Sequence, residues 1–168
     1  MRKFALTAHV ACSVGWLGAV AAFVAVAVAA LLSRDAQTVR GGYLAMEVIG
    51  WYALVPLCLA SLATGLLQAL GTRWGLFRHY WVIVKLGITV LATFILLLYT
   101  QTLASLAAAA RASAAAGTGV ESLRSASPVL HGAVALLLLG TATSLAIYKP
   151  PGMTRHGRKR QQRPERTA

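Results

Sequence analysis

The chain has 168 residues, of which 58% are hydrophobic and only 12% are charged, and its mean hydropathy is +0.67. This composition excludes an ordinary soluble domain, in which about a quarter of the residues are charged. The formal net charge of +12 does not indicate nucleic-acid binding, because seven of the sixteen basic residues lie in the last twenty positions and no folded reading module precedes them.

Four segments are apolar over a length that crosses a bilayer core of about 30 Å, which requires roughly 20 helical residues. They lack the alternation of a barrel strand, so helices are predicted. The first follows the basic start "MRK", but its uncharged stretch exceeds the roughly 7 to 15 residues of a signal-peptide core, so it is retained. We therefore predict an all-α, four-helix transmembrane bundle, with helices over residues 4–32, 43–70, 80–100 and 129–148.

The orientation follows from the Lys and Arg residues of short loops, which favour the cytoplasmic side. Eleven lie on the side of the two termini and four on the opposite side, while Lys85 falls inside the third helix. Both termini are thus predicted in the cytoplasm, with the protein in a bacterial inner membrane. Residues 1–150 form the membrane domain, and residues 151–168 form a disordered basic tail that fixes topology and attracts anionic lipid.

The connections between these helices are short, with one exception. The segment "SRDAQTVRGG" is predicted to be an external turn and "GTRWGLFRH" an internal one. The exception, residues 101–127, contains an Ala-rich stretch that either extends the third helix or forms a separate surface helix. Pro56 lacks a backbone donor and frees the carbonyl of Tyr52, which predicts a kink in the second helix.

Polar side chains on all four helices fall at one depth in the cytoplasmic half. His9 and Lys85 each lie roughly 7 to 8 Å inside the cytoplasmic edge, so they are candidate neighbours. Since polar groups facing lipid are costly, these faces are predicted to turn inward to a shared pocket. Two alternatives stay open: Lys85 extends to the headgroups, and hydroxyls bond their own helix. The other predicted pocket residues are Ser13, Ser61, Thr64, Gln68, Thr89, Thr141 and Ser144.

Two ionisable residues lie in the outer half, about one helical turn inside the external edge. These are Glu47 and His131, which we predict to form an ion pair or hydrogen bond that fixes helix packing; a proton or ligand site is the alternative. Because His131 and His9 enter from opposite membrane faces, one haem iron cannot use both. Cys12 and Cys58 have no metal-site spacing and are interpreted as small apolar residues, so no metal site is predicted.

Three segments carry a resemblance to known families: "LTAHVACSVGWLGAV", "WGLFRHYWVIVKL" and "HGAVALLLLGTATSLAIYKPPGMTRHGR". Together they resemble a family of small bacterial four-pass integral membrane proteins of unknown function. The pattern of His9, Trp16, Gly18, Trp81 and Lys85 is also distantly similar to copper-resistance-D-like proteins and to the membrane-bound protoporphyrinogen oxidase of haem synthesis. The latter resemblance implies that His9 and Lys85 are functional residues.

Three functional hypotheses follow. The first is a non-enzymatic helical bundle that packs with itself, as a homo-oligomer, or with a partner subunit. The second is a redox protein associated with haem b or another porphyrin, with His9 as ligand, Lys85 near a propionate and His79 nearby. The third is a small transporter or proton-linked carrier that uses the buried ionisable groups. No catalytic residue is predicted, because the sequence contains no hydrolytic triad, phosphate loop or paired-carboxylate site.

Overall fold

The structure, a computed structural model, describes residues 2–71, 79–152 and 154. Four helical segments in this part of the chain are long and apolar enough to cross a membrane, which confirms the predicted four-helix transmembrane bundle. The protein is therefore a multi-pass membrane protein. Its helices are α1 (Arg2–Leu32), α2 (Ala36–Ile49), a π-helical turn (Gly50–Leu54), α3 (Val55–Gly71), α4 (Tyr80–Ala115), a 3-10 turn (Glu121–Leu123) and α5 (Ser127–Tyr148).

Helix α1 is the centre of the bundle. It packs against α2, α3 and α5, while α4 closes the other side by contacting the same three helices. The core between them contains Trp16 and Phe23 of α1, each 3% exposed. Many other large apolar side chains are exposed, as expected for helices solvated by lipid rather than by water. The predicted basic tail, residues 151–168, lies almost wholly outside the described residues.

The start of α2 differs from the sequence prediction. The segment predicted to be an external turn is largely helical, because α2 begins at Ala36 rather than near Tyr43. Asp35 caps this helix: its carboxylate accepts hydrogen bonds from the backbone N–H and the hydroxyl of Thr38, both at 2.7 Å. The side-chain bond from Thr38 is the main cause that holds the pKa of the Asp35 carboxyl below its usual range.

The helix from residue 36 to residue 71 contains a π-helical turn at Gly50–Leu54. The N–H of Val55 bonds to the carbonyl of Gly50, five residues earlier. Pro56 follows at once, and its missing N–H leaves the carbonyl of Tyr52 without its α-helical donor. Because Pro56 removes this hydrogen bond, the helix widens into a π-helical turn just before it.

Helix α4 extends well beyond the predicted end at Thr100. It continues to Ala115, so the Ala-rich stretch extends this helix rather than forming a separate one. At about 1.5 Å per residue its 36 residues span roughly 54 Å, longer than a bilayer core of about 30 Å. Gly117 lies just beyond the end of the helix, and its φ of 64° is a left-handed conformation that glycine adopts without steric cost.

A close approach of α5 to α1 depends on Gly132. A Cβ at this position would lie 2.4 Å from Cγ2 of Val24 and 3.4 Å from the ring of Phe23. The absence of a side chain at Gly132 therefore allows the two helices to pack closely, as small residues do in membrane bundles.

We expect Gly132→Ala to destabilise the protein by about 1 to 3 kcal/mol, since the new methyl group must push α5 away from Val24. The matched control is Gly140→Ala on the same helix, where an added Cβ meets nothing within 4 Å. Thermal unfolding of both variants in detergent, followed by circular dichroism, measures the difference. Equal midpoints for the two variants would contradict this packing.

Candidate functional site

His9 joins three helices in one half of the bundle. Its side chain projects from α1 and is 9% exposed. Nδ1 lies 3.1 Å from Oγ1 of Thr64 on α3, and Nε2 lies 3.3 Å from Nζ of Lys85 on α4. The structure thus brings together the two residues, His9 and Lys85, that the sequence placed at one depth. We call His9, Thr64 and Lys85 the histidine network.

The protons of this network follow from its geometry. The hydroxyl of Thr64 donates to the carbonyl of Ala60 at 2.6 Å, and a hydroxyl has only one proton to donate. Oγ1 of Thr64 is then an acceptor, so Nδ1 of His9 carries the proton of that bond. In the neutral ring Nε2 is consequently an acceptor, and Lys85 donates to it. The result is a directed chain of hydrogen bonds from Lys85 through His9 and Thr64 to a backbone carbonyl.

The backbone of α3 comes close to the imidazole ring at Gly65. A Cβ at this position would lie 3.0 Å from Cε1 of His9, a separation that requires the ring to shift. Two further interhelical bonds connect α1 and α3: Ser13 Oγ lies 2.8 Å from Ser61 Oγ, and the amide of Gln68 donates to the carbonyl of Ala5 at 3.0 Å. These contacts hold α1 and α3 together around His9 and so fix the orientation of its ring.

Three predicted pocket residues bond within their own helices. The hydroxyls of Thr89, Thr141 and Ser144 each donate to the carbonyl four residues earlier, at 2.9, 2.8 and 2.9 Å. Thr141 and Ser144 are exposed on the outside of α5, so the prediction that they face the pocket is wrong. The physical reason is that a hydroxyl satisfied by its own backbone can face lipid at low cost.

His79 immediately precedes α4. Its carbonyl accepts the N–H of Val82 at 3.2 Å, and its ring centroid lies 6.4 Å from that of Trp81. Six residues separate His79 from Lys85, about 9 Å along the helix axis. Its proposed part in a cofactor site stays a prediction.

The predicted pair of Glu47 and His131 does not form. Glu47 instead makes an ion pair with Arg111 of α4. His131 stacks on Tyr99, with ring centroids 4.1 Å apart and planes at 18°. The prediction is wrong because α4 continues past Thr100 and brings Arg111 beside α2, which supplies Glu47 with a fully charged partner.

Two arginines that the sequence analysis used only for topology bind backbone carbonyls at the outer end of the bundle. Arg40 on α2 donates to the hydroxyl of Ser113 at 3.0 Å and to the carbonyls of Ser113 and Thr118 at 3.2 and 2.6 Å. Arg124 donates to the carbonyl of Ser33 at 2.6 Å. A guanidinium carries five donors, so one side chain can satisfy several carbonyls left open at helix ends.

An apolar cleft lies in the bundle between α1, α4 and α5. It encloses about 280 Å³, and its floor includes the buried rings of Trp16 and Phe23. Tyr99 and His131, whose rings stack on each other, both line it. Sequence reasoning missed this cleft, because it forms between apolar faces that are indistinguishable in sequence from lipid-facing ones.

The described residues offer no metal site. Among residues 2–71, 79–152 and 154, no three His, Cys, Asp or Glu side chains are grouped to hold a metal ion. Both cysteines are free thiols, and Cys58 donates to the carbonyl of Val55 at 3.1 Å.

Comparisons with protein-family models, curated proteins and solved structures found no match to the chain. The resemblance to four-pass membrane families therefore stays a prediction from the quoted segments. Function has to be inferred from the chemistry of the sites themselves.

Thr64→Val is expected to destabilise the protein by roughly 0.5 to 2 kcal/mol, because Nδ1–H of His9 loses its acceptor inside the bundle. Thr89→Val is the matched control: it removes only a bond to the hydroxyl's own helix and should cost less than about 0.5 kcal/mol. Thermal unfolding in detergent compares the two variants. Equal losses would show that the network contributes nothing to stability.

Exchanging the charges of Glu47 and Arg111 tests the outer ion pair. Glu47→Arg alone places two cations together and should destabilise the protein by about 1 kcal/mol, a modest value because Arg111 is 57% exposed. The double variant Glu47→Arg, Arg111→Glu should recover most of this loss. Absence of recovery in the double variant would argue against a direct pair.

Proposed function

We propose that the protein is a non-enzymatic membrane bundle that assembles with a second copy of itself or with a partner subunit. The observation that carries this proposal is the occupation of both ring nitrogens of His9 by neighbouring helices. A histidine bonded on both sides holds its helices in register and has no free nitrogen for a ligand. Its role is then to fix the shape of the surface that the partner meets.

The outer part of α2 and α4 supports an assembly surface. Glu47, Tyr52 and Arg111 lie on the outside of the bundle there, and Tyr52 is 81% exposed. The hydroxyl of Tyr52 bonds to no residue that the structure describes. A protein neighbour that supplies an acceptor for this hydroxyl would add a hydrogen bond across this face. We call Glu47, Trp51, Tyr52 and Arg111 the outer polar face.

Cysteine cross-linking in native membranes tests this assembly. In a background lacking Cys12 and Cys58, Tyr52→Cys should give disulfide-linked dimers, or an adduct with a partner, on mild oxidation. Val14→Cys is the control, since Val14 is 63% exposed on α1 and lies away from the outer polar face. Equal cross-linking at both positions would indicate random collision, and a monomer without a partner in gentle detergent would contradict the proposal.

His9→Ala is expected to weaken the assembly without preventing membrane insertion, because the helices remain apolar while their register is released. The measurement is the mass of the detergent-solubilised complex by light scattering, for the unmodified protein and the variant. Thr89→Val serves as the control here as well. An unchanged complex in the His9→Ala variant would remove the histidine network from the proposal.

A second candidate function, association with haem or another porphyrin, is favoured by the chemistry of Lys85. An ammonium has three donors, and among the described residues Nζ of Lys85 bonds to His9. No carboxylate among the described residues pairs with it. A propionate at Lys85 and iron at Nε2 of His9 would satisfy both groups, provided that Lys85 withdraws from the ring. Iron in such a site supplies redox chemistry.

An absorbance spectrum separates the two functions. Protein purified after expression with ample haem is measured oxidised and dithionite-reduced, beside the His9→Ala variant. A Soret band that shifts on reduction and disappears in the variant would establish the haem function. A spectrum without such a band in both proteins favours the structural role of His9.

The orientation proposed for this assembly has both termini in the cytoplasm of a bacterium. It rests on the excess of Lys and Arg in the segments on that side. In this orientation the histidine network lies toward the cytoplasm and the outer polar face toward the opposite surface. The basic tail then lies beside anionic headgroups of the inner leaflet.

A further inference from the structure

The apolar cleft has two kinds of wall. Its floor is aromatic and dry, built from Trp16 and Phe23, which are each 3% exposed. Its rim is formed by Val134 and Ile95, which are 52% and 38% exposed and therefore border the surrounding lipid. The cleft thus opens sideways between α4 and α5 into the bilayer. Any occupant enters from the membrane, and its volume of about 280 Å³ is near the lower end of ligand pockets.

His131 is exposed, lines this cleft and supplies a polar acceptor. Nδ1 of His131 lies 3.0 Å from the carbonyl of Ser127 and 3.4 Å from its hydroxyl oxygen. Since a carbonyl only accepts, Nδ1 carries the ring proton, and Nε2 of the neutral ring holds a lone pair. That lone pair bonds to no residue within the described ranges. Nε2 can therefore accept a hydrogen bond from a donor outside the described residues.

The ring of His131 is also held in place. It stacks on Tyr99 at 4.1 Å, and the hydroxyl of Tyr99 lies 3.0 Å from that of Ser127. The carbonyl of Ser127 fixes the tautomer of His131. The hydroxyl of Ser127 contacts that of Tyr99, on which the imidazole ring stacks. An acceptor whose ring is held by both a hydrogen bond and a stacking partner is preorganised for a ligand.

We propose that this cleft binds an isoprenoid hydroquinone of the membrane. The aromatic head enters between α4 and α5 over the floor of Trp16 and Phe23, and a phenolic O–H donates to Nε2 of His131. The hydrocarbon tail leaves through the lateral opening into the bilayer. The small volume fits a single ring with the first part of its tail.

Two features favour a hydroquinone over other membrane molecules. The acceptor requires a hydroxyl donor, which a phospholipid acyl chain lacks, and the aromatic floor favours a flat ring through offset or edge contacts. The same acceptor discriminates between oxidation states. A quinone carbonyl cannot donate to Nε2, so a site that holds this tautomer binds the reduced form more tightly. The proposal concerns binding alone and is independent of assembly through the outer polar face.

The test compares a decyl-chain benzohydroquinone with its quinone. Each is equilibrated, under argon, with nanodiscs that contain the protein and with empty nanodiscs, and the ligand bound per protein is extracted and quantified. The hydroquinone should bind about fivefold or more tightly than the quinone, the difference expected for one hydrogen bond. Equal affinities, or retention of a phospholipid that added hydroquinone does not displace, would overturn the proposal.

Three variants on α5 locate the binding. His131→Phe keeps an aromatic ring against Tyr99 but removes the acceptor, so hydroquinone binding should fall to the level of the quinone while quinone binding stays unchanged. Ala135→Phe fills the cleft and should abolish binding of both forms. Leu137→Phe is the control on the lipid-facing side, at a residue that is 72% exposed, and should bind as the unmodified protein does.

Folding of each variant is checked by its thermal unfolding midpoint. If Ala135→Phe does not fold, Val134→Phe obstructs the cleft at its exposed rim, where the backbone need not move. Undiminished hydroquinone binding in a folded cleft-filling variant, or in His131→Phe, would overturn the proposal.

Discussion

The hydrogen bond from His9 to Thr64 constrains the inner half of this protein more than any other contact. In the bilayer core no water is present to satisfy a misplaced polar group, so each one must meet its partner within the protein or in its own helix. His9 meets Thr64 on one side and Lys85 on the other, at 3.1 and 3.3 Å. A shift of either neighbouring helix along its axis breaks one of these bonds.

The two ends of the bundle are held by different chemistry. In the inner half, hydroxyl, imidazole and ammonium groups of different helices bond to one another, as Ser13 does with Ser61. The outer end uses arginines on backbone carbonyls, together with the hydroxyl of Tyr43, which donates to the carbonyl of Leu123 and accepts from the N–H of Ser125. Guanidinium groups are strongly polar, and they occur here where α2 and α4 extend beyond the length that a bilayer core requires.

Sequence reasoning predicted the fold and the height of the inner polar groups. Continuous apolar runs determine the number of spans, and a rise of about 1.5 Å per residue placed His9 level with Lys85. The sequence predicted the rotation of each helix about its own axis much less well. Thr141 and Ser144 lie at the right height on the wrong side of α5, because a hydroxyl that bonds its own backbone does not force a helix face inward.

The outer half was harder to predict because it depends on where α4 ends. Low-complexity Ala-rich sequence is compatible with a continued helix and with a separate one, and only the packed structure distinguishes them. Because α4 continues to Ala115, Glu47 pairs with Arg111 rather than with His131. His131 stacks on Tyr99 instead. The apolar cleft escaped prediction for a related reason: its floor and the lipid-facing surface have the same composition.

The π-helical turn at Gly50–Leu54 has a consequence for comparing this chain with related sequences. Such a turn accommodates one residue more than an α-helix of the same rise, and one residue corresponds to about 100° of rotation. A relative that lacks the turn should therefore align with a single-residue gap between positions 50 and 54. An ungapped alignment would match lipid-facing positions with core positions across one half of the helix.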